Sequence, residues 1–290
     1  MGHPRCAGHR HLRAGHPSID RTQGRVGGVT PVVPRSWTPR RAILHAEDSS
    51  GTSGRSRLVL LHGFTQTCRS WDEFIRALGD EPAICRVDAP GHGRSPILDD
   101  DLFGVARVVV ASAGEGTYIG YSMGARILLH AALDSAPMSG LVLVGGTPGI
   151  EDDRERADRR ESDRLLAERI VRSGVEEFLD WWLRQPLFAG LSPTVDDLAE
   201  RRLNTVDGLV SSLRHCGVGE QTPLWDRLSD IDVPVLVMAG SRDTKFDAIG
   251  RRMTEAIGAN ARFVSVPDAG HAAHLERPDA VAGIVREWMN

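Results

Sequence analysis

Three short stretches of this chain carry side chains whose types and order suit acid–base or covalent chemistry. The first is Gly120-Tyr121-Ser122-Met123-Gly124-Ala125-Arg126. A serine with a glycine two residues away on each side, just after the apolar run Thr117-Tyr118-Ile119, predicts a reactive hydroxyl on a sharp strand-to-helix turn. Such a hydroxyl needs a base. "VPDAGHAAHLERPD" offers His271 after a strand and a Gly-containing turn; His274 is close by, and the Ala-Gly-His turn favours His271. The imidazole in turn needs an orienting acid, and "VLVMAGSRDTKF" supplies Asp243 at a strand end, although Asp is also a common turn cap. In this arrangement Asp243 holds the imidazole tautomer and His271 takes the proton from Ser122.

Negative charge developing on a substrate also needs donors. "LVLLHGFTQT" ends a strand at Leu61 and turns through His62-Gly63. The backbone N–H of Phe64, with that of Met123 after the serine, is expected to form an oxyanion site, where one donor is worth about 3–4 kcal/mol. His62 is read as structural, and His92 and Arg94 of "DAPGHGRS" as fixing a loop.

Arg126 stands four residues beyond Ser122, on the same helix face. Two readings compete: a salt bridge to a carboxylate behind the site, or an anchor for an anionic substrate through paired guanidinium hydrogen bonds. Further arginines favour the second. In "EDDRERADRRESDRLLAERI", by default a solvated charged helix, Leu166 and Ile170 mark an inner face that runs back through Asp163, Arg159 and Arg156. Trp181, Trp182, Leu187 and Phe188 are expected to pack as a roof, and "ERRLN" contributes Arg201 or Arg202.

The elements that must position these groups alternate. Strands are predicted at Arg41–His45, Leu58–Leu61, Ala83–Asp88, Thr117–Gly120, Leu141–Gly145, Val235–Ala239 and Arg262–Val266. Helices are predicted at Trp71–Leu78, Met123–Asp134, Ala248–Ile257 and Pro278–Met289. Alternating strands and helices predict an α/β fold, a mostly parallel central sheet with flanking helices. No convincing strand lies between Gly146 and Val235, so this interval reads as a helical insertion over the carboxyl edge of the sheet. The expected organisation is a tail over 1–40, a core over 41–150 and 226–290, and a helical cap over 151–225. The connection from Ser95 to the elbow strand looks short.

Composition limits the partners. The chain has 290 residues and a formal charge of -4, with a pI near 6.3, so no global basic field points to nucleic acid or a membrane. No apolar run approaches the ~20 residues of a membrane span. Cys6, Cys68, Cys85 and Cys216 show no metal-type spacing, which predicts reduced thiols, a cytoplasmic setting and no metal. The Gly-, Pro-, Arg- and His-rich first stretch lacks the apolar segment of a secretory signal and predicts disorder; its His3, His9, His11 and His16 are not read as a metal site.

With the order Ser122, Asp243, His271, these motifs resemble the α/β-hydrolase superfamily over about 41–290. Gly-Tyr-Ser-x-Gly-x-Arg, Gly-Gly-x-Pro-Gly, Arg-Ala-Asp-Arg…Ser-Asp-Arg, Trp…Gln-Pro-Leu-Phe, Arg-Asp-x-Lys-Phe and Ala-Gly-His-x-x-His are similar to the menaquinone-pathway 2-succinyl-6-hydroxy-2,4-cyclohexadiene-1-carboxylate synthase family. The resemblance implies a cofactor-free lyase that eliminates pyruvate from a small substrate with several carboxylates. It implies functional positions at Tyr121, Ser122, Arg126, Arg159, Trp182, Asp243 and His271, with Arg201 as a further one. Ala125 and Leu183 depart from the family pattern, which has glycine and tyrosine there. Two alternatives remain: a serine hydrolase cleaving an ester or C–C bond through an acyl-enzyme, and a non-catalytic ligand-binding protein of the same fold.

Overall fold

The computed structural model describes residues 44–51, 57–79 and 82–290. The tail expected over 1–40, with its histidines and Cys6, lies outside these residues.

Seven strands form one sheet: β1 (Ala46–Ser49), β2 (Leu58–Leu61), β3 (Ile84–Val87), β4 (Gly116–Tyr121), β5 (Met138–Val144), β6 (Val235–Gly240) and β7 (Ala261–Val266). Their order across the sheet is β1-β3-β2-β4-β5-β6-β7; β1 runs antiparallel to β3 and every other pair is parallel. The predicted first strand needs correction. Of the predicted Arg41–His45, residues 41–43 lie outside the described residues and Leu44 and His45 are not in a strand; the pairing runs over Ala46–Ser49, where Ala46 faces Val87 and Ser49 faces Ile84. "AEDS" has little apolar pattern because β1 is an edge strand with exposed positions, so its pairing rests on backbone hydrogen bonds.

The interior strands explain why short apolar runs sufficed to find them. All four residues of β2 are buried, and period-two alternation sends Val59 and Leu61 to one face, Leu58 and Leu60 to the other. One face packs on α2 (Leu102–Ala113) and α3 (Met123–Leu133), the other on α1 (Asp72–Leu78) and α9 (Pro278–Met289). Helix α2 was not predicted. Its valine-rich "VARVVV" mimics a strand, yet Asp101 caps it by accepting the Gly104 N–H at 2.8 Å, and Gly114 ends it at φ 77°. It fills the connection after Ser95 that looked short.

Between β5 and β6 come α4 (Asp153–Trp182), a 3-10 turn (Pro186–Phe188), α5 (Val195–Arg201) and α6 (Val206–Cys216). Ala167, Ile170 and Phe178 of α4 pack on Leu209, Val210 and Leu213 of α6 as a separate small core. Gly174, at φ 72°, breaks α4 into two straight pieces. Beyond β6, α7 (Thr244–Ile257) starts earlier than predicted, because Asp243 accepts the Phe246 N–H and caps it; α8 (Ala273–Glu276) precedes α9.

The pairing aligns the strand ends. Leu61 lies opposite Val87 and Gly120, Tyr121 opposite Val144, and Gly240 opposite Val266. The loops that leave β2, β4, β6 and β7 therefore emerge on one edge, where the side chains singled out above belong.

Candidate active site

The turn after β4 is built on close backbone approach. A Cβ on Gly124 would lie 2.2 Å from the Leu61 carbonyl oxygen, so α3 can rest on β2 only with glycine there. Ser122 itself is held at φ 50°, ψ −105°, a strained conformation for a residue with a side chain. Its N–H donates to the Val144 carbonyl at 2.8 Å, which pins the elbow to the neighbouring strand. Ala125, where the family pattern has glycine, is accommodated by Gly146: a Cβ on Gly146 would come 2.8 Å from the Ala125 methyl.

The structure brings the three residues expected to form a proton relay together from three different loops. His271 Nε2 lies 3.2 Å from Ser122 Oγ, and Nδ1 lies 2.7 Å from Asp243 Oδ2. His271 and Asp243 are both nearly excluded from water. Phe246 tilts against the imidazole at 4.5 Å between ring centroids and Tyr121 at 5.4 Å, which limits its rotation. Among the described residues, the amides of Phe64 and Met123 donate to no protein acceptor; that of Met123 is free because it opens a helix.

The loop after β2, which carries Phe64, is fixed from below by two buried imidazoles. His62 Nδ1 donates to the Gly63 carbonyl at 2.8 Å and Nε2 accepts the Ala89 N–H at 2.9 Å. His92 Nδ1 donates to the Pro90 carbonyl, and Nε2 accepts the Thr65 N–H at 3.3 Å. Burial keeps both rings neutral, and His92 is pushed down to about 3. Their hydrogen bonds use up both nitrogens, which leaves neither free for proton transfer.

One cavity holds Ser122, His271, Phe64, Met123, Tyr121, Arg126, Arg159, Trp182 and Arg201 together. Arg126 is 5% exposed. It donates to the Cys216 carbonyl at 2.6 Å and to Gln221 Oε1 at 3.4 Å, and no described carboxylate lies within ion-pair distance. The salt-bridge reading of Arg126 is thereby corrected. Burial lowers this guanidinium to about 10, so at neutral pH it is a charge with no carboxylate in direct contact, the nearby Asp163 attracting it only through space.

The other cations differ. Arg159 Nε pairs with Asp163 at 2.9 Å, and Arg201, 2% exposed, pairs through Nε with Asp197 at 2.6 Å and donates to Thr65 Oγ1 at 3.0 Å. Arg202 turns outward to Glu176, which decides between the two arginines of "ERRLN". Arg156, expected on the inner face, instead braces the start of α4 through the Ile150 carbonyl and Asp153. The roof forms as expected: Trp182 lies 5.4 Å from Phe188 and 5.7 Å from Phe64, with Trp181 beside it.

Sequence reasoning missed Lys245, Phe246 and Gln66, which also line the cavity. Lys245 enters no ion pair among the described residues and sits at the exposed rim, 5.9 Å from the Phe246 ring. Its signal was present in Arg-Asp-x-Lys-Phe but was read only for its aspartate. A larger groove of about 840 Å³ on the outer side of α4 and α6 holds no candidate nucleophile, and Arg164 there is already paired with Glu161 and Glu168.

Known proteins share this architecture. The alpha/beta hydrolase family model matches residues 58–284. The 2-succinyl-6-hydroxy-2,4-cyclohexadiene-1-carboxylate synthase of Enterobacter sp. (strain 638) is 34% identical over 256 residues, covering 85% of this chain and 96% of that one. The structure of MenH from S. aureus superposes with a TM-score of 0.78 at 28% identity, covering 84% of this chain and 97% of that one. A thermophilic esterase from Thermogutta terrifontis, 22% identical with a TM-score of 0.68 over 85% of this chain and 92% of its own, shares the fold. By its family match and its relatives alike, this chain belongs to the alpha/beta hydrolase family, and within it to the group of the 2-succinyl-6-hydroxy-2,4-cyclohexadiene-1-carboxylate synthases.

Proposed function

We propose that this protein is a lyase that eliminates pyruvate from 2-succinyl-5-enolpyruvyl-6-hydroxy-3-cyclohexene-1-carboxylate, giving 2-succinyl-6-hydroxy-2,4-cyclohexadiene-1-carboxylate. The observation that carries this reading is Arg126: a buried guanidinium with no described carboxylate partner, one helical turn from Ser122 and open to the same cavity. An enzyme for neutral acyl chains has no use for such a charge, whereas a substrate with three carboxylates supplies what it lacks. Arg159 and Arg201 keep guanidinium nitrogens beyond their own ion pairs and serve the remaining carboxylates, with Tyr121 and Trp182 as the walls.

In this mechanism Ser122 gives its proton to His271 and, as a base, removes the proton next to the succinyl ketone. The electron pair forms an enolate, whose oxygen takes hydrogen bonds from the Phe64 and Met123 amides. Collapse of the enolate through the ring double bond breaks the C–O bond to the enolpyruvyl group. That group leaves as the enolate of pyruvate and is protonated on carbon. Asp243 holds the imidazole and balances its cation. Residues 151–225 act as the cap that carries Arg159, Trp182 and Arg201 over the serine. The reaction is assigned to the cytoplasm, in keeping with the free thiols of Cys68, Cys85 and Cys216.

Following pyruvate release from the enolpyruvyl substrate tests the reading. Ser122→Ala is expected to abolish it. Arg126→Ala is expected to lower kcat/KM about a hundred- to thousandfold on this substrate and to change turnover of a small neutral ester little. Rapid hydrolysis of p-nitrophenyl esters with no pyruvate release overturns the lyase in favour of an acyl-enzyme hydrolase.

A further inference from the structure

Glu276 ends α8, and its carboxylate reaches back over the loop that carries His271. Oε2 accepts the Gly270 N–H at 2.7 Å, and Oε1 accepts the Ala272 N–H at 3.2 Å. The two amides on either side of His271 are thus held by the two oxygens of one carboxylate. Asp243 fixes only the ring, through Nδ1. Where the ring begins is set by the backbone of residue 271, and Glu276 grips that backbone on both sides. Charge-assisted bonds of this kind are the strong ones.

The same carboxylate also meets the cap. A Cβ on Gly190 would lie 2.2 Å from Glu276 Oε2. Gly190 is exposed, and a side chain there would press on this carboxylate. It closely follows the 3-10 turn Pro186–Phe188, which brings Leu187 and Phe188 into the cavity; the Phe188 ring stands 6.5 Å from His271.

We propose that Glu276 is a positioning residue for His271, and that Gly190 seats the cap on it, so that one carboxylate sets both the imidazole and the cap wall beside it. The proposal rests on the reading of His271 as the base for Ser122. A glutamine in place of Glu276 keeps one acceptor oxygen and turns an amide N–H₂ toward a second N–H, so one flanking amide loses its partner. A displacement of about 1 Å in a reacting group costs up to about a hundredfold in rate.

The test measures the labelling of Ser122 by a fluorophosphonate, in which the serine oxygen bonds to phosphorus, fluoride leaves and the proton passes to His271. It needs no pathway substrate. Glu276→Gln, verified folded by circular dichroism at the assay temperature, is expected to label about ten- to hundredfold more slowly. A residue that only stabilised the fold would lower the melting temperature and leave the folded protein's labelling rate unchanged. Gly190→Ala, on the exposed cap loop, is expected to slow labelling as well, and the double variant to be no slower than the slower single one, because both act through one group.

Wild-type labelling by folded Glu276→Gln overturns the proposal, as does a double variant whose loss is the product of the two single losses. Should Glu276→Gln fail to fold, Gly190→Ala decides, and an unchanged rate there overturns it. Failure of the wild-type protein to label refutes the reading of Ser122 and His271, and this proposal falls with it. Normal labelling in wild type and variants alike refutes this proposal alone.

Discussion

Arg126 places a cost on the fold. Its burial disfavours the charged form and lowers the guanidinium to about 10, so the penalty is present at neutral pH and eases only as pH rises through that value. Arg126→Met, an apolar chain of similar length, is expected to raise stability by about 1–2 kcal/mol in urea titrations, even after the hydrogen bonds to Cys216 and Gln221 are lost, while turnover disappears. A variant less stable than wild type would contradict a net cost of burying this charge. The residue's place was legible, since a spacing of four from Ser122 fixes its face of the helix. Its lack of an ion-pair partner was not, because Cys216 and Gln221 reach it from ninety or more positions away. Arg156 and Arg159, three apart on one helix face, went different ways through local competition: Arg156 pairs back with Asp153, Arg159 forward with Asp163.

The strand-to-helix turn is where an element holds strain. Ser122 at φ 50° and ψ −105° is disfavoured for any residue with a Cβ, so alanine keeps the strain and glycine relieves it. Ser122→Gly is therefore expected to be more stable than Ser122→Ala by about 1 kcal/mol, both being inactive; chemical denaturation of the pair measures the difference. Equal stabilities would mean that the turn costs nothing. Elements with two buried faces, such as β2, were legible from a run of four apolar residues. Elements on the rim were not. β1 is an edge strand with no apolar signature, and α2 hid behind its valines, because a helix buried along most of its length looks like a strand until its caps are read.

At the scale of the whole molecule, burial depresses four imidazoles among the described residues and keeps them neutral. Burial holds His62 low, takes His92 down to about 3 and His130 to about 4, and keeps His274, wedged between Trp71 and Tyr121, well below its ordinary value. Above about pH 6.5 these rings are neutral folded or unfolded. Below it the unfolded chain takes up protons that the native state refuses, so stability falls with pH until the folded values are passed. His92, His130 and His274 each add up to about 1.4 kcal/mol per pH unit to that slope, and His62 acts in the same direction. Together the three are expected to lower the denaturation free energy by about 6 kcal/mol between pH 7 and 5, and a value that stays flat over that range would rule out neutral buried rings. From the amino-acid order alone, the alternation of strands and helices, the serine elbow and the sequence of serine, acid and histidine could be read, because each is a local pattern with a local cause: backbone crowding, face burial or a cap. Only the folded chain decided which arginines keep a free charge, which histidines are locked in hydrogen bonds, and that Glu276 grips the histidine loop beside Gly190. Each of those outcomes needs at least one partner far along the chain, such as Cys216 for Arg126, Ala89 for His62 or Gly190 for Glu276, which meet only when the sheet brings its loops to one edge.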